Sequence, residues 1–425
     1  MKRTFESIAF DYDREYNSLL AFAAQSDYSI VLNPLRIREG FKTLYAFGNR
    51  KSVKGFAGKG FNEIEKLQSK SDTIFGYFSY DLKNEIEVLS SRNADYTDFP
   101  DYFFFQPKLI LEVSENELLL KYFEEDSSLA VHFTQYVIAR RNDEATSSSN
   151  VISLQPRITK EDYISTVNLL KKHIHRGDIY EVNFCQEFFA ENAEIHPLEV
   201  YQKLLEKSPT PFASFLKMEE QYLLCVSPER FIQKQGNRVL SQPIKGTAKR
   251  SDNAQEDEKN KRALFESAKE RSENVMIVDL VRNDLSTIAN NGSVKVDELF
   301  KVYSFKQWHQ MISTISCEVD NNISSLQIIK KCFPMGSMTG APKVSAMRLI
   351  DENESMKRGI FSGAVGYIDE NNNFDFNVVI RSLVYNAKTN YLSLCVGSAI
   401  TAHCDAQQEY EECLLKAAVL KEVLQ

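Results

Sequence analysis

The stretch RITKEDYISTVNLLKKHIHRGDIYEVNFC, residues 157–185, sets a helix and a strand back to back. Thr159 followed by Asp162 has the spacing of a capping box, and Tyr163, Val167, Leu170 and Ile174 then fall on one helical face. Gly177 stops the helix, and residues 179–185 read as a strand. Both periods recur outward from this stretch. Upstream, GYFSYD (76–81) and DYFFFQP (101–107) are rich in aromatics, and LILEVSENELLLKYFEE (109–125) predicts a hairpin around Ser114, Glu115 and Asn116. Downstream, a charged helix is expected from Asn253 to about Leu285, growing more apolar toward VMIVDLVRNDL. SGAVGYID (362–369) and FDFNVVIRSLVYN (374–386) read as strands. A last helix from Asp405 places Tyr410, Cys413, Leu414 and Ala417 on one face. Long helices mixed with many strands, without regular βαβ punctuation, predict an α+β fold rather than a doubly wound parallel sheet.

The polar run RRNDEATSSSN (140–150) is the best linker candidate. It separates an N-terminal α/β region, residues 1–140, from a second region, residues 155–425. At 425 residues the chain exceeds what one core usually serves, so one large or two intimately packed domains are expected. The composition, 43% hydrophobic and 26% charged, excludes disordered, collagenous and coiled-coil classes. A formal charge of −8 argues against a nucleic-acid partner or an anionic membrane surface. No run reaches the ~18 apolar residues of a membrane span. The start, MKRTFESIAFDYDREYN, has no apolar core of a secretory signal. Seven cysteines without a CxxC pair fit no closed disulfide framework, so a reducing, cytoplasmic setting is expected.

Carboxylate spacing is the first chemical signal. Glu270 and Glu273 lie three residues apart on one expected helix, and Glu409 and Glu412 repeat that spacing on the last. Each pair shares a helix face, and oxygen donors of this kind suit a hard cation such as Mg²⁺, although solvated helix faces look the same. Lys416, four residues beyond Glu412, suits an ion pair along the helix. SPERF (227–231) precedes QPIKGTAKR (242–250), where Pro243, Gly246 and Thr247 suggest a constrained turn around Lys245. A desolvated lysine with a lowered pKa can act as a nucleophile, whereas most turn lysines simply face solvent. In FPMGSMTGAPK (333–343), Gly336, Ser337, Thr339 and Gly340 could present backbone N–H groups to an anion, or form an ordinary turn. His309, in KQWHQMIS, is a weaker candidate for chemistry. Arg381 interrupts an apolar strand, and a buried arginine needs an anionic partner. GFAGKGF (55–61) lacks P-loop spacing, and no GxGxxG after a strand, HExxH or GxSxG occurs, so nucleotide hydrolysis, dinucleotide chemistry and serine hydrolysis lack support.

In order, GDIYEVNF, SPERF, PIKGT, ENVMIVDLVRNDL, WHQMIS, GSMTGAPK, RGIFSGAVGY, IRS and EYEECLLKA resemble the chorismate-utilising enzymes, over about residues 155–425. That family includes anthranilate and aminodeoxychorismate synthase components I and the isochorismate and salicylate synthases. The resemblance implies two orthogonally packed β-sheets flanked by helices, in α/β/β/α layers, with the 155–425 region binding chorismate. It implies that Glu273 and Glu412 hold Mg²⁺, with Glu270 and Glu409 close by or bound through water. It further implies that Arg381, Lys416 and backbone groups near Gly397 meet the substrate carboxylates, and that Thr247, Thr339 and His309 line the substrate. Glu229 would be the general acid protonating the departing C4 hydroxyl.

Lys245 discriminates within the family. Anthranilate synthases usually read PIAGT, and aminodeoxychorismate synthases commonly PIKGT, with the lysine attacking C2 of chorismate. The resemblance therefore favours an Mg-dependent enzyme of the aminodeoxychorismate branch, on the route to 4-aminobenzoate and folate. The alternatives are anthranilate synthase component I and a non-catalytic chorismate-binding or amidotransferase-docking protein. A separate glutamine amidotransferase subunit is implied as the ammonia source. Three positions depart from the family. Glu181 stands where water-activating members carry Lys and the others typically Gln. Ala399 in GSAI replaces a glycine and takes φ > 0 less cheaply. Phe361 replaces a tyrosine, removing one hydroxyl.

Overall fold

The structure is a computed structural model and describes residues 2–36, 41–68, 72–114, 117–139 and 151–425. The expected linker, residues 140–150, lies outside them, as do Glu115 and Asn116 of the expected hairpin turn. The hairpin itself is present, Tyr102–Val113 pairing antiparallel with Glu117–Tyr122.

All pairings among the described strands are antiparallel, and they trace two sheets joined through shared long strands. Tyr102–Val113 runs along Thr43–Gly55, its second half pairs with Glu117–Tyr122, and its first half pairs with Ile74–Phe78. From Thr43–Gly55 one sheet continues through Tyr28–Leu32, Phe212–Met218, Gln221–Ser227, Ser382–Asn386 and Tyr391–Ile400 to Glu181–Ala190. From Ile74–Phe78 the other continues through Ala364–Ile368, Phe374–Val378, Arg230–Gln235 and Arg238–Gln242 to Trp308–Glu318, which also pairs with Ile244–Lys249 and Lys295–Ser304. Strands of the N-terminal region thus pair directly with strands of the later one, Tyr28–Leu32 with Phe212–Met218 and Ile74–Phe78 with Ala364–Ile368.

Three apolar layers follow. Ile30, Leu216 and Leu223 of the first sheet pack with Phe75, Tyr77, Phe103 and Val365 of the second, making the layer between sheets. Tyr163, Val167, Leu204, Met347 and Ala417 bring helices onto the outer face of the first sheet. Ile64, Val278, Val281 and Ile329 bring helices onto the outer face of the second, against Phe104, Ile315 and Phe376. This is the α/β/β/α layering. It explains the unbroken YFFF run: Phe103 faces the other sheet and Phe104 the helices, so neither side meets water.

Several local expectations hold, and several change. Thr159 accepts from the Asp162 N–H, and Gly177 closes Lys160–Arg176 at φ 88°. The Asp162 carboxylate bonds the Thr159 hydroxyl at 2.8 Å rather than its backbone, so the box is half formed. The single helix expected over 253–285 is two, Ala254–Glu266 and Ala268–Ser286. Ser267 breaks it by taking extended backbone and capping the Glu270 N–H. On the last helix, Ala406–Glu422, the buried face is Ala406, Glu409, Cys413, Ala417 and Leu420, whereas Leu414 is exposed. FDFNVVIRSLVYN is two strands in different sheets, because the chain crosses between them at residues 379–381, with Arg381 at φ 52°. All seven cysteines are free and buried, and among the described residues no helix is long and apolar enough to cross a membrane.

One buried ion pair ties the start of Glu181–Ala190 to its neighbours. Arg358 meets Glu354 with both side chains 1% exposed, and donates to the Asn183 and Met338 carbonyls. Glu354 in turn accepts from the Cys185 N–H. An Arg358→Met variant would leave the Glu354 carboxylate buried without its cation. A loss of about 3–5 kcal/mol of unfolding free energy is expected in urea denaturation.

Candidate functional site

The site forms where the chain crosses between sheets. Gln221–Ser227 belongs to the first sheet and Arg230–Gln235 to the second, so Glu229 sits in the crossing. The reverse crossing, at 379–381, lies beside it: the Val378 N–H bonds the Glu229 carbonyl and the Val226 N–H the Arg381 carbonyl. Arg230, buried against Asp375 and Gln242, holds the pair of crossings in place.

Glu229 is 6% exposed and accepts from the Ser337 hydroxyl at 2.6 Å. Burial raises its carboxyl to about 7, against the opposing effects of Ser337 and Lys245. It is thus a carboxylic acid with a proton available near neutrality. Ser337, from the short turn Gly336–Met338, supplies its hydrogen bond rather than a place for an anion.

Lys245 lies on Ile244–Lys249, in a strand and not in the expected turn. The register shifts between Ile244 and Thr247, and Gly246 at φ 92° makes a bulge. A Cβ at Gly246 would meet Glu270 Oε2 at 2.9 Å, so the glycine lets the bulge approach the carboxylates. Lys245 Nζ donates to Glu181 Oε1 at 2.9 Å, the side chains 11% and 9% exposed. Burial alone would lower its pKa, but Glu181, Glu273 and Glu412 outweigh it and hold the ammonium above its ordinary value. Lys245 is thus neither the solvent-facing turn lysine nor the desolvated lysine of lowered pKa that its sequence context left open. Desolvation is present, but the negative surroundings win.

The paired carboxylates come together from two helices, Glu270 and Glu273 from Ala268–Ser286 and Glu409 and Glu412 from Ala406–Glu422. Lys269 stands between them, 3.9 Å from both Glu273 and Glu409. Burial raises Glu270, Glu273 (to about 7) and Glu409, with neighbouring carboxylates adding to it. Burial also acts on Glu412, but Lys416 at 2.6 Å leaves it below its usual value. Among the described residues, no three His, Cys, Asp or Glu side chains converge on a single ion position. The cluster instead carries more negative charge than its lysines neutralise, and its donors are all hard oxygens, which fits a hydrated hard cation taking one or two carboxylates directly.

Opposite these acids are cations with spare capacity. Burial lowers the Arg381 pKa against Glu412, and its guanidinium donates to the Lys416 carbonyl at 3.5 Å. Lys416 also donates to the Gly397 carbonyl at 2.8 Å. A side chain at Gly397 would displace its neighbours, because a Cβ would lie 2.5 Å from Cys185 Sγ and 2.6 Å from Asn183 Oδ1. Ala399 sits within the regular strand Tyr391–Ile400, opposite Asn183, and is not among the left-handed residues, so replacing a glycine there strains nothing. Phe361 is buried in the apolar layer under the second sheet.

The remaining candidates have partners of their own or face solvent. Thr247 is exposed at the strand surface. The Thr339 hydroxyl donates within its own turn, to Met335 and Gly336. His309 is 1% exposed with both ring nitrogens engaged, Nε2 with Asp257 at 3.0 Å and Nδ1 with Ser304 at 2.8 Å. Gly340 serves close approach rather than anion binding, since a Cβ would lie 2.2 Å from the Glu181 carbonyl. Lys269, Asp257 and the Glu354–Arg358 pair went unnoticed in the sequence. Only the i,i+4 spacings Lys269–Glu273 and Glu354–Arg358 were there to signal them.

A family model described as chorismate binding enzyme matches residues 21–422. Aminodeoxychorismate synthase component 1 of Salmonella typhimurium is 33% identical over 340 residues, 79% of this chain and 73% of that protein. Its Escherichia coli counterpart is 38% identical over 258 residues, 61% of this chain and 56% of that protein. The solved structure of anthranilate synthase component I from Streptococcus pneumoniae superposes with a TM-score of 0.80 at 22% identity, covering 91% of this chain and 93% of that one.

Burying Glu229 has a pH signature. Its carboxyl moves from 4.5 to about 7 on folding, so the unfolded chain ionises first and stability falls as pH rises between those values. Glu229→Gln removes that penalty. The variant should match the wild type near pH 4 and gain up to about 3 kcal/mol by about pH 9 in urea titrations.

Proposed function

The chain belongs to the family of chorismate binding enzymes, and we propose that it works there as component I of an aminodeoxychorismate synthase. It converts chorismate and ammonia into 4-amino-4-deoxychorismate, for 4-aminobenzoate and folate synthesis. The observation that carries this reading is Lys245, aimed by its bulge into a carboxylate-lined site that also holds Glu229 as a buried acid.

Arg381 and Lys416 receive the substrate carboxylates. Glu273 and Glu412 hold Mg²⁺, with Glu270 and Glu409 beside them, and the bound ion supplies positive charge for the ring carboxylate. Glu229 gives its proton to the C4 hydroxyl, which leaves as water rather than hydroxide. Lys245 attacks C2 as that bond breaks, and ammonia then adds at C4 and releases the lysine.

The ammonia comes from a partner glutamine amidotransferase subunit. All seven thiols of this chain are buried, and burial raises each of them, the reverse of what a glutamine-cleaving cysteine needs. A supply from another subunit agrees with the component naming of the relatives.

The purified chain with chorismate, Mg²⁺ and ammonium is expected to form aminodeoxychorismate without stoichiometric pyruvate, read by mass spectrometry and a pyruvate assay. Anthranilate with equal pyruvate would assign it to anthranilate synthesis instead. At constant free ammonia the rate should fall as pH rises through about 7, because Glu229 then loses the proton it donates. Glu229→Gln should cost roughly 10²–10⁴-fold in kcat.

A further inference from the structure

Paired with the Glu181 carboxylate at 2.9 Å, Lys245 is an ammonium, and an ammonium has no lone pair with which to attack carbon. A proton acceptor is therefore required within reach of Nζ. Glu181 is its hydrogen-bond partner, at 2.9 Å, with both side chains about nine-tenths buried. Glu229, Glu270, Glu273 and Glu412 also face the lysine, and Glu273 faces Glu181. Among the described residues, none of these lies within ion-pairing distance of Lys245 or Glu181. Glu229 is committed to Ser337, and Glu412 to Lys416.

The backbone under Glu181 is held on both sides. The Glu181–Val182 segment pairs with Gly340–Ala341, and Val182 pairs with Ile400 on the opposite edge. Gly340, whose Cβ would strike the Glu181 carbonyl, brings that contact close. A carboxylate fixed in this way against a bulge-fixed lysine is a preorganised donor–acceptor pair.

We propose that Glu181 is the general base for Lys245, taking a proton from Nζ as the lysine attacks C2 and returning it when ammonia expels the lysine. This rests on the covalent role of Lys245. In the first half, the Nζ–C2 bond forms, the ring double bonds shift and the C4–O bond breaks, the oxygen leaving as water with the Glu229 proton. In the second, ammonia forms the C4–N bond, the double bonds shift back and C2–Nζ breaks. The lysine recovers its proton from Glu181, and the new C4 ammonium gives one to Glu229. The sum is chorismate plus ammonia to aminodeoxychorismate plus water, with both carboxyl groups restored.

The test uses the full chain with Mg²⁺ and chorismate, comparing wild type, Glu181→Gln, Glu181→Asp and Lys245→Ala. Without ammonium, peptide mass spectrometry should find chorismate less water on Lys245 of the wild type. Glu181→Gln should form that adduct, and turn over, roughly 10²–10³-fold more slowly while KM changes little. The ratio of its rate to that of the wild type should climb as pH rises, and Glu181→Asp should recover part of the loss. Glu181→Gln with the wild-type rate and pH profile overturns the base role alone. So does a loss of KM and kcat together with the wild-type profile in both Glu181 variants, which is the mark of a structural ion pair. No wild-type adduct and full turnover by Lys245→Ala would overturn the covalent reading, and the base role with it.

Discussion

The chemistry of this chain depends on two strand connections that cross between sheets side by side. A crossing must leave one hydrogen-bond ladder and enter another, so its backbone groups need partners outside either ladder. Here the crossings satisfy each other, Val378 to Glu229 and Val226 to Arg381. The consequence is chemical as well as structural. The side chains at the crossings, Glu229 and Arg381, are set between the layers, where a carboxyl keeps its proton near neutrality and a guanidinium finds few partners. The Arg230–Asp375 pair braces this region.

Around that point the protein places acids of two kinds. Glu229 is neutralised by burial and so becomes a proton donor. The acids of the two flanking helices are too numerous for Lys269 and Lys416 to neutralise, which leaves a site suited to an added cation. Lys245 lies near both groups and is kept charged by Glu181 together with Glu273 and Glu412 of the second. A lysine in an apolar pocket would lose its proton unaided, whereas one among carboxylates must hand it to a neighbour. The acidic residue at position 181 is best understood in that light.

Much of this was legible in one dimension. The Thr159 cap, the Gly177 stop, the hairpin and the α+β class follow from local chemistry, and local chemistry survives folding. The i,i+3 carboxylate pairs were visible because spacing along a helix determines which side chains share a face. What escaped was set by distant partners. The exposure of Leu414 needed the sheet's position, and the crossing at Arg381 could not be told from a continuous strand. The state of Lys245 stayed open in the sequence, because neither its burial nor the charges around it can be read along the chain.

The sequence by itself determined the local periods and caps, the order of the motifs and therefore the family, because periodicity, caps and ordered residue strings are properties of the chain alone. Only the tertiary structure decided that Glu229 meets Ser337, that Lys245 meets Glu181, and that carboxylates from two helices far apart in sequence share one site. The physical reason is that proton affinity depends on desolvation and on nearby charge. Both are properties of a position in space, which separation along the chain does not measure.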